Sequence, residues 1–273
     1  MIKTCIFPAA GYGTRFLPAT KTLPKEMLPI LNKPLIHYGL DEAISAGMTN
    51  IGIVSGRTKR ALEDYFDISY EIEDAIAGSS KEELLNDVRE QMKVCEFMFV
   101  RQRKMNGLGD AIHCAKNIVN NEAFGVILAD DLCVNDKKSV MQQMAEVYEK
   151  YKCSVVALMQ VEKEDVNKYG IIEGDKIEDN IYQITNMVEK PEPKDAKSNL
   201  AIIGRYILTP DIFEKIENTS AGKGGEIQIT DALNKQAKLG KCVGLVFDGL
   251  RFDCGNVKGF FEATKYFYNK LYT

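Results

Sequence analysis

The sequence predicts an α/β protein with a doubly wound, mainly parallel but mixed sheet. Through the first 161 residues, apolar runs of strand length alternate with segments that can be helical. This alternation favours a parallel sheet with helices on both faces. After residue 161 short strand-like runs follow one another, which predicts a small antiparallel layer. A glycine-containing turn directly follows the first apolar run, and open α/β sheets bind ligands at that end of a strand.

The elements of the first part follow from apolar spacing. Five apolar runs predict the strands of the main sheet, at 2–7, 51–54, 95–100, 124–129 and 153–161. Helices are predicted between them at 34–46, 58–66, 109–119 and 137–151. In the last of these, Val140, Met144 and Val147 recur at helical spacing, so we expect them to face the core.

Two later regions depart from this alternation. Residues 67–93 are rich in Glu, Asp, Lys and Ser and carry an apolar stripe, which predicts a helical insertion with a solvated charged face. An interaction role for this insertion is the alternative. The antiparallel layer is predicted from the runs at 169–173, 181–188 and 199–208, and helices return at 229–239 and 258–272. We expect one domain over residues 1–273.

Composition limits the class of protein. With 273 residues, 45% hydrophobic and 27% charged, the chain is typical of a soluble enzyme with a well-buried core. Its formal charge of −4 argues against a nucleic-acid-binding surface. Apolar runs fall short of the ~20 residues that span a bilayer, and the N-terminus lacks the layout of a signal peptide. We therefore expect a cytoplasmic protein without a nucleic-acid or membrane partner.

Cysteine and histidine are distributed as in a protein without a structural metal. The seven cysteines are scattered and form no C-x-x-C pair, so we expect reduced, mostly buried thiols rather than a disulfide framework or a zinc knuckle. His37 and His113 lie far apart in helix-like segments, which predicts packing or surface roles.

The turn after the first strand combines a flexible backbone with positive charge. Gly11 and Gly13 allow backbone N–H groups to approach anionic oxygens, and Arg15, Lys21 and Lys25 follow closely. This arrangement is typical of a polyphosphate site. A dinucleotide-binding turn would need a third glycine three residues after Gly13, and a Walker P-loop would end in Gly-Lys-Ser/Thr. The alternative is an ordinary strand–helix turn that contains glycine.

Acidic residues also stand where strands are predicted to end. Asp130 and Asp131 follow the fourth apolar run and Asp253 follows a later one. Mg²⁺ is usually held by one or two protein carboxylates together with water and substrate phosphates. Successive strand residues face opposite ways, so either Asp130 or Asp131 could be the ligand, and Asp131 could instead cap the next segment. For Asp253 the alternative is N-capping of the last helix.

Two further polar segments carry groups that could bind a ligand. Gln102 precedes the glycine-containing stretch 106–111, where its amide could read a base edge and Gly107 could let the base lie close. Glu189 and Lys190 end a predicted strand just before Pro191 and could act as adjacent acceptor and donor. An ordinary loop and a surface charge pair are the respective alternatives.

Taken together, the chain resembles the bacterial glucose-1-phosphate uridylyltransferases, also called UDP-glucose pyrophosphorylases. The matching segments run in order over nearly the whole chain, at 9–29, 102, 107–111, 128–130, 169–170, 188–191, 199–206, 226–232 and 252–256. Residues 25–27, 63–73 and 225–231 look more like this subgroup than like the sister thymidylyltransferases, which usually carry Gln where Glu26 stands and lack the insertion. The match departs at Ala129 and Asp110, and neither departure is expected to touch a proposed contact.

The resemblance implies transfer of uridylyl from UTP to glucose 1-phosphate, with Mg²⁺ as cofactor. Its fold would be the Rossmann-like fold of nucleotide-diphospho-sugar transferases, with residues 162–250 as the sugar-binding portion, and its expected assembly a homodimer or homotetramer. Arg15 and Lys25 would bind the polyphosphate as catalytic residues. By the same resemblance, the nucleotide would be contacted by Ala10, Gly11, Gly13, Glu26, Gln102 and Gly107, the sugar phosphate by Gly170, Glu189 and Lys190, and the metal by Asp130 and Asp253.

Three other functions are alternatives to uridylyl transfer. A thymidylyltransferase of the same fold would prefer dTTP, and Glu26 with the 67–93 insertion argues against it. An NAD-dependent oxidoreductase would need the missing third glycine and an acidic ribose ligand. A non-catalytic nucleotide-sugar sensor would be expected to lose Lys25 or the acidic metal ligands, which this chain keeps.

Overall fold

The chain alternates strands and helices in the order that the apolar spacing predicts. A computed structural model describes residues 1–273, apart from the side chain at position 223. The strands are β1 (Thr4–Pro8), β2 (Pro29–Ile30), β3 (Lys33–Pro34), β4 (Asn50–Ser55), β5 (Glu96–Arg101), β6 (Phe124–Ile127), β7 (Asp131–Val134), β8 (Ser154–Gln160), β9 (Gly170–Glu178), β10 (Ile181–Glu189), β11 (Leu200–Leu208), β12 (Cys242–Val246) and β13 (Leu250–Asp253). The helices are α1 (Leu35–Ser45), α2 (Arg60–Tyr65), α3 (Tyr70–Ile76), α4 (Asn86–Val94), α5 (Leu108–Cys114), α6 (Val140–Tyr151), α7 (Ile212–Glu217), α8 (Ile229–Ala237) and α9 (Val257–Tyr272).

The main sheet is mixed, and its two halves differ in strand direction. Within the described chain its order is β5-β4-β1-β6-β11-β8-β12-β10-β9. Strands β5, β4, β1 and β6 are parallel to one another. In the other half β11 is antiparallel to both β6 and β8, and β10 is antiparallel to both β12 and β9. The prediction of a mixed α/β protein is confirmed, and the antiparallel pairs fall in the half where the antiparallel layer was predicted. The sheet as a whole is not mainly parallel, because four of its eight neighbouring strand pairs are antiparallel, although β8 and β12 are parallel.

The second half of the sheet curls back on itself. Ile171 of β9 pairs with Ala201 of β11 as well as with Val188 of β10. An irregularity between Ile184 and Asn186 interrupts the β10–β9 register, and such a bulge bends the strand that carries it. The predicted antiparallel layer is therefore a small barrel-like part of the same sheet.

Helices cover both faces of the sheet, as the alternation predicts. Adjacent residues of β1 point to opposite faces. Ile6 packs in a cluster with Ile112 of α5, whereas Phe7 packs in a cluster with Leu40 of α1 and Met144 of α6. The α6 stripe is buried as expected, and α6 begins at Val140 because Ser139 forms a capping box at its start.

Residues 67–93 are largely helical in the structure. They contain α3, a 3₁₀ segment at Ser80–Leu85 and most of α4. Arg89 of α4 binds Glu73 of α3, and Val88 packs against the main core. Leu84, a member of the apolar stripe, is exposed.

Two elements near the C-terminus complete the fold. β13 pairs with β7 in a separate antiparallel ribbon that places Asp253 opposite Asp131. α9 begins at its N-cap Asn256, whose side chain accepts a hydrogen bond from the Gly259 N–H at 3.0 Å. The ribbon and the short helix α7 were not predicted from the sequence. In the part of the chain that the structure describes, no helix is long and apolar enough to cross a membrane.

Candidate active site

The turn after β1 folds back on the segment that carries Lys25. Gly13 has a φ of +65°, and a Cβ at this position would lie 3.0 Å from Lys25 Cβ. Thr20 Oγ1 donates a hydrogen bond to Gly13 O at 2.7 Å. Glycine is required here for both its backbone conformation and its close contact. The turn therefore fixes Lys25, which opens a 3₁₀ turn at Lys25–Met27, directly behind the glycines.

A cavity of about 270 Å³ lies between this turn and the start of α5. Several residues for which the sequence predicted contacts with the nucleotide, its polyphosphate or a metal ion line this cavity together. They are Ala10, Gly11, Lys25, Gln102, Gly107 and Asp130. Residues that are up to 120 positions apart in the sequence thus meet at the carboxyl ends of β1, β5 and β6, where an open α/β sheet binds its ligand.

Gln102 is held by two acceptors at the edge of this cavity. Its Nε2 donates to Gly107 O at 3.2 Å and to Asp110 Oδ2 at 2.7 Å, and its side chain is almost completely buried. The expectation that Asp110 touches no proposed contact is therefore wrong. Asp110 lies in the first turn of α5, which brings its carboxylate back toward the end of β5.

Glu26 lies behind the cavity. It is 1% exposed, and its Oε2 accepts a hydrogen bond from Lys59 Nζ at 2.8 Å. Burial raises the pKa of Glu26, and the neighbouring Lys59 and Lys25 oppose this rise. Among the described residues, neither Glu26 nor Gly13 belongs to the cavity lining, so their contact with a nucleotide stays a prediction.

Lys25 and Asp130 form an ion pair at the cavity floor. Lys25 Nζ lies 2.6 Å from Asp130 Oδ2. Burial alone would lower the pKa of Lys25 and raise that of Asp130, but their mutual attraction outweighs it. The pKa of Lys25 is raised and that of Asp130 is lowered, so both groups are charged at neutral pH.

Asp253 lies close to Asp130. A Cβ at Gly255 would lie 3.0 Å from both Asp130 Oδ2 and Asp253 Oδ1, so the two carboxylate oxygens are at most about 6 Å apart. The Gly255 N–H donates to Asp253 Oδ1 at 3.0 Å. The alternative role of Asp253 as helix N-cap is not observed, because Asn256 caps α9.

The structure separates Asp131 from its neighbour Asp130. Arg251 Nε donates to Asp131 Oδ1 at 2.7 Å, and the Gly204 N–H donates to Asp131 Oδ2 at 2.6 Å. Asp131 is 8% exposed, and both of its oxygens are engaged within the protein. Asp130 is therefore the better placed of the two to share a cation with Asp253.

A second cavity of about 300 Å³ adjoins the first and shares Leu108, Leu128, Asp130 and Glu226 with it. It brings together the remaining predicted residues, namely Arg15, Gly170, Glu189, Lys190 and Asp253. Glu189 Oε2 accepts a hydrogen bond from Thr230 Oγ1 at 2.6 Å, and Lys190 Nζ lies 3.2 Å from Glu189 Oε1. This carboxylate is therefore oriented before any ligand arrives.

Several charged residues around these cavities were not predicted from the sequence. Arg251 and Lys168 line a wider cavity of about 840 Å³, together with Arg15 and Asp253. Arg251 could have been found, since residues two apart on a strand share a face and Arg251 precedes Asp253 by two positions on β13. Lys59 gives no such signal, because its partner Glu26 is 33 residues away.

Comparison with known proteins shows what this chain is similar to. Residues 5–270 match a family model described as nucleotidyl transferase. A UTP–glucose-1-phosphate uridylyltransferase of Pseudomonas aeruginosa is 58% identical over 273 residues, covering 100% of this chain and 98% of that protein. A solved structure of UDP-glucose pyrophosphorylase complexed with UDP-glucose is 54% identical with a TM-score of 0.92, covering 99% of this chain and 100% of the other. A UTP-bound UGPase from Acinetobacter baumannii is 32% identical with a TM-score of 0.91, covering 99% and 94%.

Proposed function

This chain belongs to the nucleotidyl transferase family, and we propose that it transfers uridylyl from UTP to glucose 1-phosphate, giving UDP-glucose and pyrophosphate. One observation carries this function: two adjoining cavities share Asp130, one lined by Lys25 and Gln102 and the other by Glu189 and Lys190. A nucleotide in the first cavity and a sugar phosphate in the second would meet at this carboxylate. We assign the fold to the Rossmann-like nucleotide-diphospho-sugar transferases.

The first cavity would hold UTP. Ala10, Gly11 and Gly107 would let the nucleotide approach the backbone closely, and Gln102 would bind the uracil. Gly13 and Glu26, which are not in the described lining of the cavity, would contact the nucleotide from the segment that also carries Lys25. In the second cavity Gly170 leaves room beside Glu189, because a Cβ there would lie 3.2 Å from Glu189 Oε2.

The sugar phosphate would be held by a donor and an acceptor on adjacent residues. Glu189, fixed by Thr230, would accept hydrogen bonds from glucose hydroxyls. Lys190 follows at the end of β10 with its side chain partly exposed, and its ammonium would bind the phosphate. Residues 162–250 would thus form the sugar-binding portion of a single domain.

Asp130 and Asp253 would hold Mg²⁺. Oxygens of the two carboxylates are at most about 6 Å apart, so both would reach one cation after small side-chain movements. Two carboxylates with water and phosphate oxygens are the ligand set that Mg²⁺ prefers. When bound, Mg²⁺ would supply a positive charge that screens the phosphates from one another. The donor set fits the ion.

The reaction requires the approach of two anions rather than a proton transfer. A phosphate oxygen of glucose 1-phosphate forms a bond to the α-phosphorus of UTP. The bond between this phosphorus and the oxygen that bridges the α- and β-phosphates breaks, and pyrophosphate leaves with that oxygen. The nucleophile is already ionised, so a general base is unnecessary. Arg15, Lys25 and Lys190 would lower the barrier by neutralising charge and fixing the in-line geometry.

Two broader properties complete the proposal. We propose a cytoplasmic enzyme, which the free thiols of its seven cysteines support. We also propose assembly into a homodimer or homotetramer. Nucleic acid and membrane are not proposed as partners, since the chain carries a formal net charge of −4.

The decisive experiment measures pyrophosphate release with glucose 1-phosphate and Mg²⁺, comparing UTP with dTTP and omitting each component in turn. Release that needs all three components and favours UTP is the expected result. Preference for dTTP would keep the chemistry but replace the base assignment with that of a thymidylyltransferase. Failure of folded protein to release pyrophosphate from either nucleotide would favour a non-catalytic sensor, and absorbance from bound nicotinamide would favour an oxidoreductase.

A further inference from the structure

We propose that Asp110 is a positioning residue that makes the nucleotide cavity select uracil over cytosine, by locking the carboxamide of Gln102 in one orientation. This inference rests on the proposed transfer from UTP. Asp110 itself does not belong to the described cavity lining, so it would act through Gln102 rather than by touching the base.

The orientation of the Gln102 amide is set by its two partners. Asp110 Oδ2 and Gly107 O are both acceptors, at 2.7 Å and 3.2 Å from Gln102 Nε2. Since a carboxamide nitrogen has two hydrogens, each acceptor takes one. A flipped amide would instead place its oxygen against two other oxygens, one of them a carboxylate oxygen. The flipped orientation is therefore disfavoured.

The acceptors are themselves fixed in place. Asp110 lies in the first turn of α5, and Gly107 O accepts the Ala111 N–H at 3.1 Å as part of the same turn. Gly107 adopts a φ of +100° and lies so close to the next loop that a Cβ would be 2.8 Å from Ile227 O. The backbone of Gln102 is held as well, because its N–H donates to Ser55 O at 3.0 Å.

This locked amide has a consequence for base recognition. With both Nε2 hydrogens engaged, Gln102 offers a ligand its Oε1, which is an acceptor. Uracil carries a donor, N3–H, in the middle of its pairing edge, whereas cytosine carries a lone pair at that position. An acceptor facing a lone pair is repulsive, so the lock rejects cytosine in addition to favouring uracil. A freely rotating amide would bind either base.

The test compares kcat and KM for UTP and CTP at saturating glucose 1-phosphate and Mg²⁺ in Asp110→Ala, Asp110→Asn and the unmodified enzyme. For Asp110→Ala we expect the UTP-to-CTP ratio of kcat/KM to fall about tenfold, the size expected for one oriented hydrogen bond. The loss should appear mainly as a higher KM for UTP. Asp110→Asn keeps an acceptor oxygen and should recover most of the ratio. Thymine shares N3–H, so dTTP should follow UTP.

A matched control separates this role from support of the helix. His113→Ala truncates a partly exposed side chain on the same helix, where it contacts Glu217, and should leave the ratio unchanged. An unchanged UTP-to-CTP ratio of kcat/KM in Asp110→Ala would overturn the proposal, whether kcat/KM falls equally for both nucleotides or for neither. Either result is distinct from failure of the proposed function, which would appear as lack of pyrophosphate release from UTP by the unmodified enzyme.

Discussion

The side chain of Lys25 is already occupied before any ligand binds. Its ammonium group lies 2.6 Å from Asp130 Oδ2, yet we assign Lys25 to a polyphosphate and Asp130 to a cation. The two assignments are compatible, because a bound cation would replace the ammonium at the carboxylate and the ammonium would move to a phosphate. The pair thus keeps two partly buried charges neutralised in the free enzyme.

Replacing Lys25 tests this assignment. We expect Lys25→Ala to lower kcat/KM on the order of 10²-fold or more, because a charge that stabilises the departing polyphosphate is lost. The fold should persist, as judged by circular dichroism. Lys3→Ala, a change at an exposed lysine just before β1, serves as control and should retain most of the activity. Near-normal turnover by Lys25→Ala would exclude this residue from the mechanism.

The buried pair of Glu26 and Lys59 makes a prediction about stability. Lys59 is 3% exposed, and removing one member leaves the other charge buried without a partner. We expect Lys59→Met to lower the free energy of unfolding by about 3 kcal/mol. The double variant Lys59→Met with Glu26→Met should recover much of this loss, as measured by urea unfolding. Additive losses in the double-mutant cycle would show that the two residues are not coupled.

The sequence predicted which residues meet at the cavity better than it predicted their burial and their hydrogen-bond partners. Lys25, Gln102 and Asp130 line one cavity, as their positions after apolar runs predicted, because strand ends meet at one edge of a sheet. The burial of Glu26 could not be found in this way, since it depends on Lys59 from a different element. The contact of Asp110 with Gln102 likewise depends on how α5 turns back toward β5.

At the scale of elements, α9 fixes the backbone of Asp253. A Cβ at Gly259, in the first turn of α9, would lie 2.1 Å from Asp253 O. The helix therefore packs against the peptide that carries a proposed metal ligand. Asp253 is therefore held at the end of β13 by a helix that follows it in the sequence.

Gly259→Ala should displace Asp253. We expect the Mg²⁺ concentration for half-maximal activity to rise roughly 10-fold, the size of change that follows loss of support around a metal ligand. The measurement is a Mg²⁺ titration of pyrophosphate release. Lys265→Ala, an exposed change on the same helix, should leave the titration unchanged. An unaltered titration in Gly259→Ala would show that α9 does not position the ligand.

The contact between α3 and α4 should depend on pH. The hydrogen bond from Arg89 is the main cause that lowers the pKa of Glu73 below its usual value of 4.5. A lowered pKa in the folded state means that this contact stabilises the segment fully above pH 4.5. The stabilisation decreases progressively as the pH falls from 4.5 through the lower pKa of the folded state. Amide hydrogen exchange over 70–94 should therefore show lower protection at pH 4 than at pH 6, after correction for intrinsic rates. Arg89→Met should remove the difference.

Elements with regular apolar spacing were predicted well, whereas some of the short ones were missed. α6 was found because its buried residues recur every three or four positions, although its start could be set only by the cap at Ser139. The six-residue helix α7 and the β7–β13 ribbon are too short to show a period. Closure of the sheet depends on pairing between Ile171 and Ala201, a long-range contact with no local signal.

On the scale of the whole molecule, a buried ion pair joins the two halves of the sheet to one helix. Arg205 of β11 donates to Glu42 of α1 at 2.8 Å and 3.0 Å, and Glu42 also accepts the Met141 N–H of α6 at 3.0 Å. β11 lies between the parallel half and the curled half of the sheet. The pair therefore ties the strand at the junction of the two halves to α1 and, through Glu42, to α6.

Assembly into oligomers can be tested on α9. This helix exposes several large apolar side chains, among them Phe261, Leu271 and Tyr272, and we expect a second copy of the chain to cover them. The double variant Phe261→Asp with Leu271→Asp should lower the mass measured by light scattering. The same pair of changes at exposed Ile68 and Ile72 tests the insertion instead. A mass equal to one chain for the unmodified protein would refute the assembly.

Because the sheet curls, its two edge strands differ in how readily they can pair with a strand of another chain. One terminal strand, β9, is tied to β11 through Ile171, whereas β5 has β4 as its neighbour on one side within the described chain. The other edge of β5 therefore has backbone N–H and C=O groups without a strand partner among the described residues. Such an edge can pair with other chains and start aggregation unless charged side chains prevent it. β5 begins at Glu96 and ends at Arg101. A charged side chain at each end of this edge strand therefore opposes its pairing with another chain.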